Sequence, residues 1–426
     1  MNDNIQKAVF QLYDAAWGLG IPLLKLAPRL KDGYTSRTFV DRPPGPVDIW
    51  FQAASAGEAF LAEAVIRALP DHRPLRILVS TNTRQGMEIL ERAAEKLAAE
   101  KPQLDLSLMF FPFDRPRLMD RVAQHLRPGV MVLLEGEIWP GLLAALRRRQ
   151  AKVLIINGRM TPKSLKGYRL FPGLWKALAP DRVLAISRDD AERFAALFGR
   201  EKVEVMHNIK FDGLGRIDPG HESAGKIQRV VPANADFLVF GSVRQEEEAA
   251  ILKMMTAIAD RFADLVVGLF PRHMHRLDAW AHLLTASGRR WCRRTDLEAR
   301  PAQPGTVVLW DTFGELNAAY SRAKAVFVGG SLAPLGGQNF LEPLAAGVVP
   351  VIGPSWENFA WVGEGLFTAG LVRRTQDWRS AAEALTQLLT NPPARDMVQQ
   401  KAAAYIDERR GGSRQAGRQI MSALGA

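Results

Sequence analysis

The sequence has almost no cysteine and few histidines. Cys292 is the single cysteine among 426 residues, so no intramolecular disulfide can form and a reducing compartment is indicated. His273 and His275 lack the companion ligands that a metal site needs, so we predict that no metal is bound. We therefore expect neither a disulfide-stapled nor a metal-dependent protein.

A long apolar run is also missing near the N-terminus. The run from Ala15 to Leu24 is bounded by Asp14 and Lys25 and is well short of the ~20 residues that a membrane-spanning helix needs. Trp17 lies inside this run and basic residues follow it, which is typical of a helix in the membrane interface. A helix packed on the protein itself would show the same pattern. Residues 1–27 alone leave both interpretations open.

Acidic residues are outnumbered by basic ones. The formal net charge is +11, which indicates an anionic partner: nucleic acid, a phosphorylated substrate or an acidic membrane surface. The basic residues are scattered and no recognised nucleic-acid-binding motif is present, so we expect no nucleic-acid partner.

Short apolar runs alternate with helical segments along the chain, which is typical of parallel sheets with helices on both faces. The length allows two such domains. We predict an α/β fold with two doubly wound domains and a cleft between them. The predicted parts are a first domain over 28–212, a linker over 213–226, a second domain over 227–394, and a basic helical tail over 395–426 whose composition suits a return to the first domain.

The stretch 326–347 is rich in glycine and joins a predicted buried strand to a predicted helix. Glycines let the backbone approach a ligand closely, and free N–H groups at a helix start suit a phosphate. Glu342 falls about one turn into that helix, near enough to accept hydrogen bonds from a ribose. A strand–helix turn without a ligand would explain the glycines alone equally well.

Glu58 follows the first predicted strand of the first domain, in the turn Ser55-Ala56-Gly57-Glu58. Open α/β sheets place their chemistry at the carboxyl ends of strands, which favours a catalytic role for this side chain. A Glu in a first helical turn more commonly compensates the helix dipole.

Taken together, these turns resemble those of the Kdo transferases, which move 3-deoxy-D-manno-octulosonic acid (Kdo) from CMP-Kdo onto the lipid A precursor. The resemblance covers nearly the whole chain. The sequence departs from the family's pattern at three positions on the donor side, His207, Arg244 and Gln338. The segments that carry it are 55–58, 135–140, 157–159, 208–212, 271–273, 311–316 and 336–343.

The resemblance implies a GT-B fold, in which the first domain holds the acceptor and the second holds CMP-Kdo. It implies that Glu58 is the general base and that transfer is inverting and metal-independent, because a CMP leaving group carries less charge than a diphosphate. The implied acceptor-binding residues are Ser55, Gly57, Arg84, Glu135, Glu137 and Arg159. The implied donor-binding residues are Lys210, Ser242, Arg272, Gly314, Glu315, Ser331, Gly336, Gly337, Asn339 and Glu342.

Three further roles on the donor side follow from the resemblance. The backbone of Ser331 and of residues 336–339 would hold the phosphate and the Kdo carboxylate, Glu342 would bind the ribose, and the turn at Gly314 and Glu315 would contact the cytosine. The implied partners are CMP-Kdo, the lipid A precursor and the anionic cytoplasmic face of the bacterial inner membrane. A different GT-B enzyme that uses a UDP- or GDP-sugar would share the same sheet and glycine-rich turn.

Overall fold

Two compact units make up the chain. The computed structural model describes residues 3–25, 27–71, 73–214, 221–297 and 300–425. Unit 1 comprises Met1–Gly213 together with Arg409–Ala426, and unit 2 comprises Leu214–Glu408.

Unit 1 is built on seven parallel strands. They are β1 (Ile49–Gln52), β2 (Leu75–Thr81), β3 (Leu104–Phe110), β4 (Val130–Leu134), β5 (Lys152–Gly158), β6 (Arg182–Ala185) and β7 (Val203–Val205). Their order in the sheet is β3-β2-β1-β4-β5-β6-β7. The winding direction therefore reverses between β1 and β4, which is where open α/β sheets place their ligands.

Helices cover both faces of this sheet. The helices are α1 (Asp3–Leu24), α2 (Pro28–Lys31), α3 (Tyr34–Arg37), α4 (Ala56–Arg67), α5 (Arg84–Glu100), α6 (Pro116–Leu126), α7 (Pro140–Arg148), α8 (Pro162–Tyr168), α9 (Pro172–Ala177) and α10 (Arg188–Phe198). Successive side chains of a strand point to opposite faces, so Met131 and Leu133 join one apolar cluster while Val132 and Leu134 join another. This two-sided burial explains why the strands are continuous apolar runs.

Unit 2 repeats the plan with a second set of seven parallel strands. They are β8 (Phe237–Val243), β9 (Val266–Pro271), β10 (Trp291–Arg293), β11 (Val307–Leu309), β12 (Ala325–Val328), β13 (Pro350–Ile352) and β14 (Arg373–Arg374), in the order β10-β11-β9-β8-β12-β13-β14. Its helices are α11 (His221–Val230), α12 (Glu248–Ala259), α13 (Leu277–Ala286), α14 (Leu316–Arg322), α15 (Leu341–Ala345), α16 (Gly365–Thr368), α17 (Trp378–Thr390) and α18 (Arg395–Asp407). The predicted α/β class with two doubly wound parallel sheets is confirmed.

The predicted tail over 395–426 divides into two helices that belong to different units. In α18, the Arg395 guanidinium donates to the Ala346 carbonyl at 3.1 Å, so this helix stays in unit 2. The last helix, α19 (Gly412–Ala423), lies in unit 1, where the Asp212 carboxylate accepts the N–H groups of Gly411 and Ser413, each at 2.6 Å. The returning segment therefore begins at Arg409 rather than at 395, because α18 ends at Asp407 and Gly411, with a φ of +105°, starts α19 as its N-cap.

The predicted linker over 213–226 also differs from the structure. Residues 215–220 lie outside the described residues. From His221 onward the chain is already helical, as the start of α11. The helical part of the predicted linker therefore belongs to unit 2.

Helix α1 packs on unit 1 with one face, as the packed-helix interpretation predicts, and membrane contact through its other face stays a prediction. Partly buried Trp17 and Ile21 pack on the apolar cluster of unit 1, and the Tyr13 hydroxyl donates to Asp114 at 3.0 Å. The other face exposes three leucines: Leu12 at 72%, Leu19 at 78% and Leu23 at 68%. None of the helices in the described ranges is long and apolar enough to span a bilayer.

Candidate active site

The carboxyl ends of β1, β4 and β5 bring one group of predicted residues together in unit 1. These strands are neighbours in the sheet and run parallel, so the turns that follow them lie at the same edge. The turns contain Ser55, Gly57, Glu58, Glu135, Glu137 and Arg159.

Glu58 is the most deeply buried carboxylate of this group, with 8% of its surface exposed. Ser55 caps α4 by accepting the Glu58 N–H, while the Glu58 carboxylate accepts the Ala54 N–H at 2.6 Å and the Ser55 hydroxyl at 3.2 Å. Burial raises the pKa of Glu58 to about 7 against the hydrogen bond from Ala54, and the negative charges of Glu137 and Glu135 raise it further.

These contacts support two roles for Glu58 at once. A carboxyl group with a pKa near neutrality is a good general base. A substantial fraction is ionised at neutral pH, and the carboxylate binds a proton more strongly than an ordinary glutamate does. The same bonds also form a cap on the first turn of α4. A substitution that keeps the size of the side chain is therefore needed to separate the two roles.

Glu135 and Glu137 lie in the turn between β4 and α7. Glu137 is half-buried, and its carboxylate accepts the Trp139 indole N–H at 2.8 Å. Burial raises the pKa of Glu137, whereas hydrogen bonds from Trp139 and Gln52 oppose the rise. Glu135 pairs with Lys210 at 2.8 Å and takes a positive φ of 54°. This turn therefore holds two carboxylates close enough to Glu58 to increase its basicity.

Lys210 lies in unit 1, although the resemblance implies a donor-side role for it. It belongs to the short 3₁₀ turn Ile209–Phe211, which Asn208 caps by accepting the Lys210 N–H at 3.0 Å. In this conformation its ammonium group is paired with a predicted acceptor-side residue, Glu135. Its contact with the donor stays a prediction.

The two predicted acceptor-side arginines are exposed. Arg84 begins α5 and pairs with Glu88 at 3.2 Å and more loosely with Asp32 at 4.0 Å. Arg159 follows β5 and is exposed to solvent. Exposed ion pairs contribute little to stability, so both guanidinium groups are available to an anionic acceptor at small energetic cost.

A network of buried polar side chains lies behind this edge, and the sequence analysis did not predict it. The Trp50 indole N–H donates to the Ser80 hydroxyl at 2.8 Å, and that hydroxyl donates to the Gln52 carbonyl oxygen at 2.6 Å. Gln52 in turn donates to the Asn82 side chain at 3.1 Å and contacts Glu137. Polar residues inside otherwise apolar strands were the signal that could have revealed this network.

In unit 2, Arg272, Asn339 and Glu342 come together at the carboxyl ends of β9 and β12. The Asn339 amide donates to the Glu342 carboxylate at 2.9 Å. Burial raises the pKa of Glu342, while that amide and the positive charge of Arg272 oppose the rise. Ser242 is the last residue but one of the neighbouring strand β8 and has a positive φ of 55°. Ser242, Arg272, Asn339 and Glu342 thus lie at one edge of the sheet, and their contact with a nucleotide stays a prediction.

Positive charge concentrates at the same edge of unit 2. Slight desolvation lowers the pKa of the exposed His273, and the charges of Arg244, His275 and Arg272 lower it further. A lowered pKa favours the neutral form of this histidine, which can both donate and accept a hydrogen bond. This cluster is chemically suited to a phosphate or a carboxylate.

Ser331 does not offer the free backbone N–H that the resemblance implies. Its N–H and that of Leu332 both donate to one oxygen of the Glu247 carboxylate, each at 2.8 Å, and the Gly330 N–H donates to the other oxygen. The Ser331 hydroxyl donates to the Val328 carbonyl at 2.6 Å and accepts the Gly353 N–H at 2.9 Å. The anion-binding nest predicted here is therefore filled by a carboxylate of the protein itself.

Gly336 and Gly337 likewise use their N–H groups within the protein. The Gly336 N–H donates to the Ser355 hydroxyl at 2.8 Å and the Gly337 N–H to the Gly330 carbonyl at 2.7 Å. Both residues have φ near +80°, and a Cβ at Gly336 would lie 2.5 Å from the Asn358 amide nitrogen. These glycines are required to fold the turn closely on itself, which differs from the predicted phosphate contact through free N–H groups.

The Glu315 carboxylate is also engaged. The Arg294 guanidinium donates to its two oxygens at 2.8 and 3.1 Å, and the Trp310 indole N–H donates at 2.9 Å. Glu315 is buried, so these bonds leave its side chain no part in reading a cytosine in this conformation. The adjacent Gly314 has a φ of +82°, and its contact with the cytosine, which would be through the backbone, stays a prediction.

In the described part of the chain, no three histidine, cysteine, aspartate or glutamate side chains are grouped so as to hold a metal ion. Metal independence stays a prediction.

Comparison with known proteins assigns the family. The sequence model described as 3-deoxy-D-manno-octulosonic-acid transferase (kdotransferase) matches residues 27–213. The 3-deoxy-D-manno-octulosonic acid transferase of Bordetella pertussis is 33% identical over 384 residues, which cover 88% of this chain and 87% of the relative. The enzyme of the same name from Haemophilus influenzae is 27% identical over 373 residues, covering 86% and 85%.

The fold is shared more widely. The crystal structure of a glycosyltransferase from Rickettsia africae superposes with a TM-score of 0.57 at 11% identity and covers 89% of this chain and 99% of its own. At that identity the likeness concerns the fold alone. The extended match to the Bordetella relative, together with the two parallel-sheet units, shows that the chain belongs to the 3-deoxy-D-manno-octulosonic acid (Kdo) transferase family and is a glycosyltransferase of the GT-B fold.

Proposed function

We propose that the protein transfers Kdo from CMP-Kdo to the lipid A precursor, with inversion at the anomeric carbon, during lipopolysaccharide biosynthesis. The observation that carries this proposal is Glu58: a buried carboxylate with a pKa raised to about 7, at the edge of unit 1 where the winding direction of the sheet reverses. Membership of the Kdo transferase family supports the donor and the acceptor.

The proposed base takes the proton of the attacking hydroxyl. An acceptor hydroxyl that meets a free lone pair of the Glu58 carboxylate gives up its proton as its oxygen bonds to the anomeric carbon of Kdo. The bond from that carbon to the phosphate oxygen breaks, and CMP leaves with the electron pair. The carboxylates of Glu135 and Glu137 assist because their charge strengthens Glu58 as a base.

On the donor side, positive charge receives the leaving group. Arg272, with Arg244 and His273 beside it, suits the phosphate of CMP and the carboxylate of Kdo. Glu342, held by Asn339, has carboxylate lone pairs that suit ribose hydroxyls. A monophosphate leaving group needs less compensation than a diphosphate, so side chains alone are proposed to stabilise it.

The acceptor is a lipid, and the proposed place of the reaction is the cytoplasmic face of the inner membrane. The exposed leucines of α1 support membrane contact, because an apolar helix face beside basic residues binds the interface of an anionic bilayer. The hydrogen bond from Tyr13 to Asp114 ties the opposite face of the helix to the protein.

A direct assay tests the proposal. Purified protein is incubated with the lipid A precursor and CMP-Kdo, and in parallel with the same acceptor and UDP- or GDP-sugars. The masses of the products are measured by mass spectrometry. We expect product with CMP-Kdo alone, and the mass increase also gives the number of Kdo residues added. Product formed only with a UDP- or GDP-sugar would refute the donor assignment and leave a different GT-B transferase.

A further inference from the structure

A cavity in unit 1 lies outside the site described above. It has a volume of about 550 Å³ and is lined by Ile21 of α1, by Thr38, and by four residues of α6 and its N-cap: Arg115, Arg117, Leu118 and Arg121. Three of its six lining residues are therefore arginines.

The positive charge of the cavity is only partly compensated. Buried Asp14 accepts from the Arg115 guanidinium at 3.1 Å, lies 3.5 Å from that of Arg117, and accepts the Arg117 backbone N–H at 2.9 Å. The cavity thus has three guanidinium groups and one carboxylate, which pairs with only two of them. The Arg117 side chain is 83% exposed, and Arg121 is exposed with no ion pair among the residues that the structure describes. Two arginines are accordingly available to an added anion.

Helix α1 is fitted closely to this cavity. A Cβ at Gly18 would lie 3.2 Å from a guanidinium nitrogen of Arg115, so the glycine allows α1 to approach the arginine. Arg115 thus contacts α1 at two positions, Asp14 and Gly18. The wall that α1 contributes to the cavity is fixed by the same contacts that dock the helix on unit 1.

Two of the elements that line the cavity also carry exposed apolar side chains. The helix that borders the cavity with Ile21 exposes Leu12, Leu19 and Leu23, and Val40, two residues beyond Thr38, is 70% exposed. A soluble anion would gain nothing from these side chains. The leucines lie on the face of α1 opposite Ile21, so a bilayer that receives them surrounds the helix with lipid phosphates, and a phosphate beside the helix is brought to the arginines of the cavity.

We propose that this cavity binds the phosphate of an anionic phospholipid of the bilayer while the exposed leucines of α1 enter the membrane interface. The arginine side chains suit this ligand because a guanidinium group forms paired hydrogen bonds to phosphate oxygens. The proposal rests on the proposed function only for the membrane setting. The lipid A precursor also carries phosphate, so the experiment separates the two sources.

The experiment measures partition of the full-length protein onto vesicles of phosphatidylcholine with or without phosphatidylglycerol. The test variant is Arg117→Gln/Arg121→Gln, which leaves Arg115 in place to hold Asp14. The matched control is Lys25→Gln/Arg42→Gln. It removes the same charge from the end of α1 and from the loop beyond Thr38, at exposed positions that do not line the cavity. Melting temperatures establish that both variants are folded, and the two single arginine variants replace the double variant if it is not.

We expect the test variant to bind phosphatidylglycerol vesicles about 25-fold more weakly than wild type, about five-fold for each arginine lost. The control should lose clearly less, and binding to pure phosphatidylcholine should not change. Equal losses in the two double variants would reduce the effect to general surface charge and overturn the proposal.

A third vesicle preparation contains phosphatidylcholine and the lipid A precursor. A loss confined to these vesicles would assign the cavity to the acceptor phosphate and also overturn the proposal. Kdo transfer by the wild-type protein to detergent-dispersed acceptor is measured separately. Absence of transfer would defeat the proposed function, and the vesicle comparison would still decide the role of the cavity.

Discussion

Substitution of Glu58 by Gln separates its two roles, general base and cap of α4. The Gln side chain keeps the size of Glu and can still accept the Ala54 N–H, but it cannot take a proton from the acceptor. If Glu58 is the base, turnover should fall by about 10²–10⁴-fold, the usual share of general acid–base catalysis. The wild-type turnover should rise with pH through about 7 as the carboxyl group ionises, and the variant's residual turnover should lack that rise.

The raised pKa of Glu58 also fixes the sign of a stability effect. Below its ordinary value of 4.5 the carboxyl group is protonated in the folded and unfolded states alike. As the pH rises from 4.5 to about 7, the unfolded chain releases the proton and the folded protein keeps it, so the free energy of unfolding falls. Above pH 7 the loss is complete and amounts to at most about 3 kcal/mol.

The Gln variant has no such loss, because its side chain does not ionise. At pH 8 we expect it to be more stable than wild type by about 2 kcal/mol, after about 1 kcal/mol is subtracted for the weaker hydrogen bond to the Ala54 N–H. At pH 5 the two proteins should be nearly equal. Turnover and chemical denaturation are measured on one preparation, with Glu63→Gln on the same helix as the control, since Glu63 pairs with Arg67 near the surface.

One result would refute this reasoning. A Glu58→Gln variant with near-normal turnover and lower stability at both pH values would make Glu58 a cap of α4 and no more. The base would then be sought at Glu137, whose pKa burial also raises, or at Glu135.

Three further predictions concern other residues. Glu342→Ala should raise the KM for CMP-Kdo by about 10- to 150-fold with an unchanged melting temperature, the equivalent of a lost hydrogen bond to a charged group; an unchanged KM would remove Glu342 from the donor site. Substitution of Leu12, Leu19 and Leu23 by Gln should weaken transfer to vesicle-embedded acceptor and leave transfer to detergent-dispersed acceptor unchanged, because the docked face of α1 stays intact; equal losses in both assays would argue against membrane contact. Glu247→Ala should lower the free energy of unfolding of unit 2 by about 3 kcal/mol or more, because the buried N–H groups of Gly330 and Ser331 and the partly buried one of Leu332 lose their acceptor. Glu246→Ala, at an exposed position, should have little effect, and similar stability of the two variants would contradict the role assigned to Glu247.

The sheet, the strand ends and the position of Glu58 were predictable because they depend on local order along the chain. A buried apolar run followed by small residues and a helix start sets the place of Glu58. The return of the chain to unit 1 also had a local signal, since Gly411 and Gly412 interrupt the helical composition of the tail. The boundary predicted at 395 did not take these glycines into account.

Glu247 shows what sequence order does not reveal. Three consecutive glutamates, Glu246, Glu247 and Glu248, form a pattern that is typical of a solvated helix start, but two of them have partners within the protein. Glu247 is buried against N–H groups more than 80 residues away in the chain, and Glu248 pairs with Arg276 at 2.7 Å. A local pattern cannot distinguish a carboxylate that faces water from one that fills a distant turn. For the same reason, the engagement of Ser331 was not foreseen.

The return of the chain at Arg409 has a consequence for the order in which the protein is made. Unit 2 is one continuous stretch, whereas unit 1 is interrupted by it and receives α19 only at the end. Ala416 and Ile420 of α19 belong to the apolar cluster that contains Ile49 and Phe51 of β1. On the ribosome, β1 is therefore synthesised first among the described strands, but this side of its core is covered only after α19, the last of the described helices, has been made. Unit 2 can be excised as a single fragment, but unit 1 without α19 exposes part of its own interior.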